Sequence, residues 1–296
     1  MTTITPINES GFGAAITGVD LARGLSDDVM RTITGALYEH RFVVIKNQSL
    51  DKQQYFHFGQ QWGDLLIHVL DYLRMPDIPE MMAIGNTEAK DQDDDVRNGA
   101  NLWHTDGSYK EEPTAMTMLY AIKAPAVGGQ TLLCDMVSAY AGLDDETRRQ
   151  IDDLRAHHFY GRAKVRANER PPSPLKTQDQ VDRVPSVINP LVLTHPISGK
   201  RALYAVSHSP YEIDGLDAAE TEKLLDDLKD HATSDAFVHW HKYEVGDILI
   251  FDCLATMHRS APMDTADTPD ADNARLLWRL STKGTPLIYR VKVKVA

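Results

Sequence analysis

Cysteine is scarce in this sequence, since the 296 residues include only Cys134 and Cys253. Two cysteines exclude a disulfide scaffold and a cysteine-rich zinc module. Basic residues are also few: 31 Lys and Arg stand against 43 Asp and Glu, for a formal net charge of −12. A general nucleic-acid binder needs a basic surface that displaces counterions, so we expect no nucleic-acid partner. A few arginines in one pocket can still attract a small anion.

Long apolar runs are missing as well. No stretch approaches the roughly 20 apolar residues that span a bilayer, so we expect no membrane segment. The N-terminal residues have no basic start and no continuous apolar stretch, which predicts no secretory signal. With the low cysteine content, these absences predict a protein of the reducing cytoplasm.

Short strands outnumber helices in the pattern of the sequence. Amphipathic spacing and capping residues predict helices at 26–39, 51–62, about 146–154 and from Asp217 onward. Short apolar runs predict strands at 41–46, 81–85, 115–122, 130–134, 187–194, 201–206, 247–252, 275–282 and 287–293. The strands do not alternate regularly with helices, so they favour an antiparallel sandwich or barrel with helices outside it. We expect one domain over residues 1–296.

Two polar stretches without periodicity, 86–101 and 161–186, interrupt this pattern. Loops of this length inside a compact domain usually carry function, so both are candidate lid segments. The second contains four basic residues between positions 162 and 170. These basic residues belong either to a solvated loop or to a lid in which they contact an anion or a neighbouring subunit.

The sequence contains one His-x-Asp, formed by His104 and Asp106 after Trp103. Residues two apart on a strand or strand end point the same way, so this pair offers an imidazole nitrogen and a carboxylate oxygen to one point. Fe(II) accepts such mixed ligands when a second histidine completes the set, which leaves positions open for substrate and O₂. A single His-x-Asp is about what chance gives among 12 histidines, so the pattern alone is weak.

Two arginines, Arg275 and Arg279, fall on one face of the predicted strand 275–282, about 13 Å apart. Burying unpaired guanidinium groups is costly, so the pair indicates two anions or two protein carboxylates, unless both arginines form surface salt bridges. Gly128 and Gly129 predict a tight turn that fixes the hydroxyl of Thr131, although a plain hairpin turn has the same pattern.

Together and in this order, these pieces resemble the taurine dioxygenase / chlorophenoxyacetate dioxygenase (TauD/TfdA) family of Fe(II)- and 2-oxoglutarate-dependent oxygenases. The resemblance covers nearly the whole chain. It rests on residues 15–21, Trp103-His104-Thr105-Asp106, the turn 128–131, residues 190–204, His258, and the pair Arg275 and Arg279. It implies a mainly β fold with flanking helices around a double-stranded β-helix, or jelly-roll, core.

The resemblance also implies roles for the metal and the co-substrate. His104, Asp106 and His258 would bind Fe(II). The far carboxylate of 2-oxoglutarate would pair with Arg275, because a planar guanidinium fits a planar carboxylate. The same carboxylate would accept a hydrogen bond from the Thr131 hydroxyl. The implied reaction hydroxylates a substrate with O₂ while 2-oxoglutarate is decarboxylated to succinate and CO₂. Hydroxylation beside a heteroatom can then lead to cleavage of a C–O or C–S bond.

Three further residues would bind the substrate by the same resemblance. Arg279 aligns with the family arginine that grips the acidic group, and His68 matches a family histidine that faces the substrate. Asn101 follows Ala100, which stands where the family often has a polar residue, so the substrate is not simply taurine. We expect a small organic acid, either a carboxylate such as an aryloxyalkanoate or a sulfonate. The family also implies a homo-oligomer, a dimer or a tetramer.

The chain departs from the family pattern in two places. An acidic segment, 264–273, lengthens the connection between His258 and Arg275, and we expect an exposed insertion that can shift Arg275 in register. Phe251-Asp252-Cys253 stands where the family commonly has Trp-Asp-Asn. Two other functions compete with the oxygenase. A jelly-roll zinc enzyme could use the same triad for hydrolysis or isomerisation, and a sensor could keep the fold without turnover.

Overall fold

The computed structural model describes residues 1–87, 100–160, 175 and 177–290. Most of the two predicted lid segments falls outside these ranges. The described parts are 86–87, 100–101, 175 and 177–186, and the last of these includes a short helix, Gln178–Asp182. The lid function stays a prediction.

Sixteen strands are present in the described residues, and most of them are short. In chain order they are β1 (Thr3–Pro6), β2 (Ala14–Thr17), β3 (Phe42–Ile45), β4 (Asp64–Leu65), β5 (Met82–Gly85), β6 (Thr114–Lys123), β7 (Thr131–Asp135), β8 (Arg155–His158), β9 (Val187–Pro190), β10 (Val192–Thr194), β11 (Arg201–Leu203), β12 (Pro210–Ile213), β13 (Val238–His241), β14 (Ile248–Asp252), β15 (Thr256–Ser260) and β16 (Leu276–Lys283).

Eight of these strands form the main sheet, in the order β1-β2-β3-β14-β6-β16-β4, with β5 also paired to β16. All of its pairings are antiparallel except β2 with β3. A smaller sheet has the order β13-β7-β15. Antiparallel sheets joined by long connections agree with the sandwich that the strand pattern predicts.

The side chains of the main sheet alternate between two cores. On β14, Ile248 and Ile250 pack into one cluster with the helices, while Leu249 and Phe251 pack into another. The second cluster also contains Leu133 from β7, so it lies between the main sheet and the smaller one. This alternation is the period of two that a strand imposes, and both faces are apolar because both are covered. The result is a jelly-roll core.

The helices of the described residues are α1 (Asp27–His40), α2 (Lys52–Trp62), α3 (Met136–Ala141), α4 (Asp145–Ile151), α5 (Gln178–Asp182) and α6 (Ala218–Ala232). Ser26, Asp51 and Asp217 cap α1, α2 and α6, which confirms the predicted starts of these helices. Helices α1 and α2 cover the outer face of the main sheet through Leu37, Trp62 and their neighbours.

Three sequence predictions about these elements were wrong. The strand predicted at 287–293 begins instead as a 3₁₀ turn, Leu287–Tyr289, which follows Pro286 and packs against α1, and residues 291–296 are not described. The predicted strand 187–194 is divided into β9 and β10 at Leu191. The helix predicted at about 146–154 ends at Ile151, and the chain then enters β8.

The acidic segment 264–273 is mostly exposed, as predicted, and it is tied to the sheet by one buried side chain. The Asn86 amide donates to the carbonyl oxygens of Asp264 and Asn273, at 2.9 Å each. Its Oδ1 accepts from the backbone N–H of Arg275 at 2.8 Å. Asn86 therefore joins both ends of the insertion to Arg275, the residue directly before β16. Within the described residues, no helix combines the length and apolar character that crossing a membrane requires.

Candidate active site

Two histidines face each other across a short strand contact. His104 forms an isolated antiparallel bridge with His258 of β15, with backbone hydrogen bonds of 3.0 and 2.9 Å. Their rings lie 4.2 Å apart between centroids. The backbone pairing therefore brings together two residues that are far apart in the sequence, and it directs both imidazoles to one side of the bridge.

The carboxylate of Asp106 lies against both imidazoles. Its Oδ1 is 3.8 Å from His104 Nε2, and its Oδ2 is 3.9 Å from His258 Nε2. One donor atom from each of the three residues lies within 4.8 Å of the others. Two nitrogens and one oxygen at this separation, too far apart for hydrogen bonds, can share one divalent cation.

The hydrogen bonds and charges around this triad, His104, Asp106 and His258, suit a metal site. His104 Nδ1 donates to the carbonyl of Leu102 at 2.7 Å, which leaves its Nε2 lone pair for a metal. Burial lowers the pKa of His258 to about 3, so its imidazole is neutral, as a ligand must be. Burial alone would raise the pKa of Asp106, but Arg279 and the two histidines hold it well below its usual range.

Asp106 has two further partners on the main sheet. Thr117 of β6 donates to Oδ2 at 2.7 Å, and Arg279 of β16 contacts the same oxygen at 2.8 Å. Gly107 follows with a φ of +65°, and a Cβ there would lie 2.2 Å from Thr114 Oγ1. Only glycine fits this turn without displacing β6, so the turn fixes the position of the carboxylate.

The arginines predicted to share a face do so, with Arg275 directly before β16 and Arg279 in the middle of that strand. Arg275 precedes β16, is buried, and donates from its guanidinium to the carbonyl of Gly129 at 3.2 Å. The Gly128–Gly129 turn therefore lies beside Arg275, as the order of motifs implies. Gly129 has a φ of +73°, and a Cβ there would lie 3.3 Å from Arg275 Cδ and 2.9 Å from Pro125.

A buried hydroxyl pair lies beside this arginine. Thr131, the first residue of β7, is hydrogen-bonded to the hydroxyl of Tyr243 at 2.8 Å. Burial raises the pKa of Tyr243, while Thr131 and the nearby charge of Arg275 lower it, so the phenol keeps its proton. We give these three residues, Arg275, Thr131 and Tyr243, the name Arg275 pocket. Its buried donors can hold a carboxylate.

A partly open pocket lies beside Arg279, and the predicted substrate residue His68 is part of its lining. Its polar lining consists of His68, Glu80, Lys110, Thr114, Arg279 and Ser281. Met82 and Tyr109 are among its apolar walls, and Met82 Sδ contacts an Arg279 nitrogen at 3.3 Å. We call it the Arg279 pocket. It combines two cations and one carboxylate, Glu80, with apolar walls, and the excess positive charge suits an organic acid.

His68 and Asn101 differ in their placement. His68 Nδ1 accepts from the backbone N–H of Leu70 at 3.2 Å, and burial with the nearby charges of Arg279 and Lys110 lowers its pKa to about 3. The ring is therefore neutral and presents Nε2–H as a donor. Asn101 Oδ1 accepts from Ser260 of β15 at 2.7 Å, and the lining of the Arg279 pocket does not include it.

Comparison with known proteins decides the family. The model of the family "Taurine catabolism dioxygenase TauD, TfdA family" matches residues 3–281. The chain belongs to the TauD/TfdA family. A relative from Cupriavidus pinatubonensis, named alpha-ketoglutarate-dependent 2,4-dichlorophenoxyacetate dioxygenase, is 31% identical over 263 residues, which cover 86% of this chain and 90% of that protein.

Two more similar proteins support this assignment. The alpha-ketoglutarate-dependent sulfate ester dioxygenase of Pseudomonas putida is 31% identical over 253 residues, covering 83% of this chain and 80% of that protein. The solved structure of AAD-2 in complex with Mn(II) and N-oxalylglycine superposes with a TM-score of 0.80 at 27% identity, covering 96% and 98% of the two chains. The chain is an α-ketoglutarate-dependent dioxygenase, a class that uses Fe(II), 2-oxoglutarate and O₂.

The sequence did not point to several residues that complete these sites. Thr117, Tyr243 and Asn86 each support a predicted site residue, but they do so across long sequence separations and belong to no motif. Gly107 could have been found, because a glycine directly after the His-x-Asp is a turn signal. Lys110 lies in the same turn region, yet its position in the pocket depends on how the turn packs against β16.

Proposed function

We propose that this protein hydroxylates a small organic acid, with His104, Asp106 and His258 holding Fe(II) and the two arginine pockets holding the two organic reactants. The single observation that carries the proposal is the convergence of three metal-ligand atoms within 4.8 Å of one another, next to Arg279. The dioxygenase relatives support the reaction class.

The triad fits Fe(II) by the chemistry of its donors. Neutral imidazole and carboxylate are ligands of non-haem iron, and three protein donors leave coordination positions for the reactants. The bound iron would supply the activation of O₂ that hydroxylation of a C–H bond requires. Thr117 and Arg279 hold Asp106 in place and keep it ionised, and Leu102 fixes the ring of His104.

The Arg275 pocket would hold the far carboxylate of 2-oxoglutarate. Arg275 offers a planar fork, and Thr131 offers a hydroxyl that Tyr243 orients. Both groups are buried, so a carboxylate bound there loses its water and depends on these donors. This pocket positions the co-substrate and excludes water from its far end, while its keto acid end would face the triad.

The Arg279 pocket would hold the acidic group of the substrate. Arg279 supplies the charge, and the neutral ring of His68 supplies a hydrogen-bond donor. Relatives that are named for aryloxyalkanoates and for sulfate esters suggest an organic acid of one of these two kinds. Hydroxylation beside the heteroatom of such a substrate would be followed by cleavage of the C–O bond. None of these relatives is named as a zinc enzyme, which leaves the hydrolase interpretation without support.

Two broader properties belong to this proposal. The enzyme would work in the reducing cytoplasm, in accord with two buried cysteines that form no disulfide. It would also assemble as a homo-oligomer, which sedimentation velocity of the purified protein would test.

The experiment has two stages. Fe(II) and 2-oxoglutarate are first added without oxygen, and the visible absorption of a keto acid chelated to ferrous iron is recorded. Oxygen and candidate acids are then admitted, and succinate is measured beside the loss of each acid. We expect the visible band, and succinate in step with consumption of at least one acid. A colourless mixture that yields no succinate with any acid would contradict the proposal.

A further inference from the structure

The Arg279 pocket contains a second cation that the family resemblance does not assign. Lys110 lies in the turn region that follows Asp106, and its side chain lines the pocket together with Arg279 from β16. The two cations therefore come from different elements. Both also lie near His68, because their charges contribute to lowering its pKa.

Lys110 is partly buried, and it lacks the carboxylate partner that most lysines of the described residues have. Lys283 contacts Glu112 at 2.6 Å, Lys46 contacts Asp247 at 2.8 Å, and Lys200 contacts Glu39 at 3.2 Å. Within the described part of the chain, no carboxylate lies within 4 Å of the Lys110 ammonium. Burial and the charge of Arg279 lower the pKa of Lys110, so the protonated side chain is held at a cost to folding. An anion in the pocket would offset that cost.

The number and arrangement of oxygens on an anionic head group decide whether it can contact both Arg279 and Lys110. A carboxylate has two oxygens in one plane, and a single guanidinium fork can satisfy both of them. A sulfate or sulfonate has three oxygens that point in three directions. Lysine is a compact charge whose donors can turn toward an oxygen outside the plane of the fork. The neutral His68 adds a third donor.

We propose that Lys110 is a specificity-determining residue that binds the substrate's acidic group together with Arg279 and His68, and that it makes the pocket prefer the three-oxygen head of a sulfate monoester or sulfonate over a planar carboxylate. This inference rests on the proposed function of the same pocket. It goes further by naming the class of head group and the residue that selects it.

The test measures binding of three anions that share one alkyl chain: hexyl sulfate, hexane-1-sulfonate and hexanoate. Isothermal titration calorimetry is carried out without oxygen on the full-length protein loaded with Fe(II) and 2-oxoglutarate. We expect the wild-type protein to bind the sulfate or the sulfonate more tightly than hexanoate. Lys110→Met should weaken binding of the tighter of these two anions about tenfold to a hundredfold, as expected for the loss of a charged hydrogen bond. It should weaken binding of hexanoate less than about threefold. Lys110→Arg should restore most of the affinity.

Lys283→Met is the matched control. Lys283 also contributes positive charge near Lys110, but it is paired with Glu112 and does not line the pocket. The Lys283→Met variant tests whether positive charge near the pocket, without direct contact, affects binding. We expect the affinity for each of the three anions to change less than twofold. Melting of the ligand-free protein gives an independent readout. Removal of an uncompensated charge should leave the melting temperature of Lys110→Met equal to or above that of the wild type, whereas loss of a structural contact would lower it.

Several results would overturn the inference. They are tighter wild-type binding of hexanoate, equal weakening of all three anions by Lys110→Met, a fall in melting temperature with that variant, an equal effect of Lys283→Met, or no measurable binding of any of the three. The visible band of ferrous iron with 2-oxoglutarate is recorded in the same samples. If the band forms while the anion preference fails, the head-group inference is wrong and the proposed reaction stands. If the band is absent, the proposed function fails.

Discussion

The two arginine pockets are built differently although they share one face of the sheet. Arg275 is buried, its backbone is held by Asn86, and its guanidinium contacts a carbonyl in a glycine turn. Arg279 is only partly buried and donates to the carboxylate of Asp106. The Arg275 end has donors already in place before any ligand arrives, whereas Arg279 lines a partly open pocket.

This difference suits two different reactants. A co-substrate that never changes is best bound by a rigid, dry site whose donors match one carboxylate. A substrate that varies among relatives needs space and adjustable contacts, because new side chains on the pocket wall can then change specificity without disturbing the metal site. We expect substitutions at the two ends to affect different kinetic constants.

The largest effect should come from substitution of a proposed metal ligand in the triad. His258→Ala removes one of three proposed metal ligands, so turnover should fall at least about a hundredfold, since even residues that only support ligands can cost that much. The measurement is succinate formation together with iron retained after gel filtration. His157→Gln is the control, because His157 is bound to Asp214 far along the chain and lies outside the triad. Normal iron retention in His258→Ala would remove His258 from the metal site.

Substitutions of the two arginines should raise the KM of different reactants. Arg275→Met should raise the KM for 2-oxoglutarate about tenfold to a hundredfold, because a charged hydrogen-bonded contact contributes about 1.5–3 kcal/mol. Arg279→Met should raise the KM for the organic acid by a similar factor, and it should also lower kcat, because Arg279 holds the carboxylate of Asp106. Each variant serves as the control for the other, with both constants measured in both proteins. A reversed pattern would exchange the two assignments, and an equal effect on both constants would show that the two ends are not independent.

Neighbouring glycines offer a finer test of the Arg275 end. Gly128 and Gly129 both have positive φ, so the backbone strain of alanine at either should cost about 1–2 kcal/mol of stability, and the clash of a Gly129 Cβ with Pro125 at 2.9 Å adds to this cost. Only at Gly129 would the new Cβ meet Arg275, at 3.3 Å, while at Gly128 it would meet open space. Gly129→Ala should therefore raise the KM for 2-oxoglutarate by about threefold to tenfold, less than complete loss of the arginine contact. Gly128→Ala should not, and matching KM values in the two variants would contradict this account.

The smallest effect concerns the pH dependence at the Arg279 end. The pKa of His68 is lowered to about 3, so its ring stays neutral from pH 6 to 8, although an ordinary histidine would gain a proton near pH 6.5. The groups that face it are Arg279, Lys110, Asp106 and Arg74. Affinity for an organic acid, measured by calorimetry across this range, should change by less than about twofold through His68. Binding that strengthens severalfold toward pH 6 in the wild type, but not in His68→Gln, would mean that the ring becomes charged.

Local patterns predicted the elements whose signals are local. Strand β14 and the capped helices α1, α2 and α6 were found because apolar runs and capping residues identify them within a few positions. The β16 pattern also put Arg275 and Arg279 on one face. The metal and co-substrate roles came from ordered motifs shared with a family, since neither spacing nor composition fixes which distant histidine meets Asp106.

Other features depend on contacts that no local pattern contains. Asn86 supports Arg275 from 189 positions away, and Tyr243 supports Thr131 from 112 positions away. The apolar alternation of residues 287–293 predicted a strand, but Pro286 and packing of Tyr289 against α1 produce a 3₁₀ turn at its start. Strands β8 and β12 were missed because their sequences are polar and short. They are stabilised by pairing with each other, and β8 also pairs with β9.

The most direct test of the central claim is a crystal structure of the protein grown without oxygen in the presence of Fe(II) and 2-oxoglutarate. We predict one metal ion bonded to His104, Asp106 and His258, with the far carboxylate of 2-oxoglutarate paired to Arg275 and hydrogen-bonded to Thr131. A metal bound elsewhere, or a far carboxylate paired to Arg279, would contradict the account.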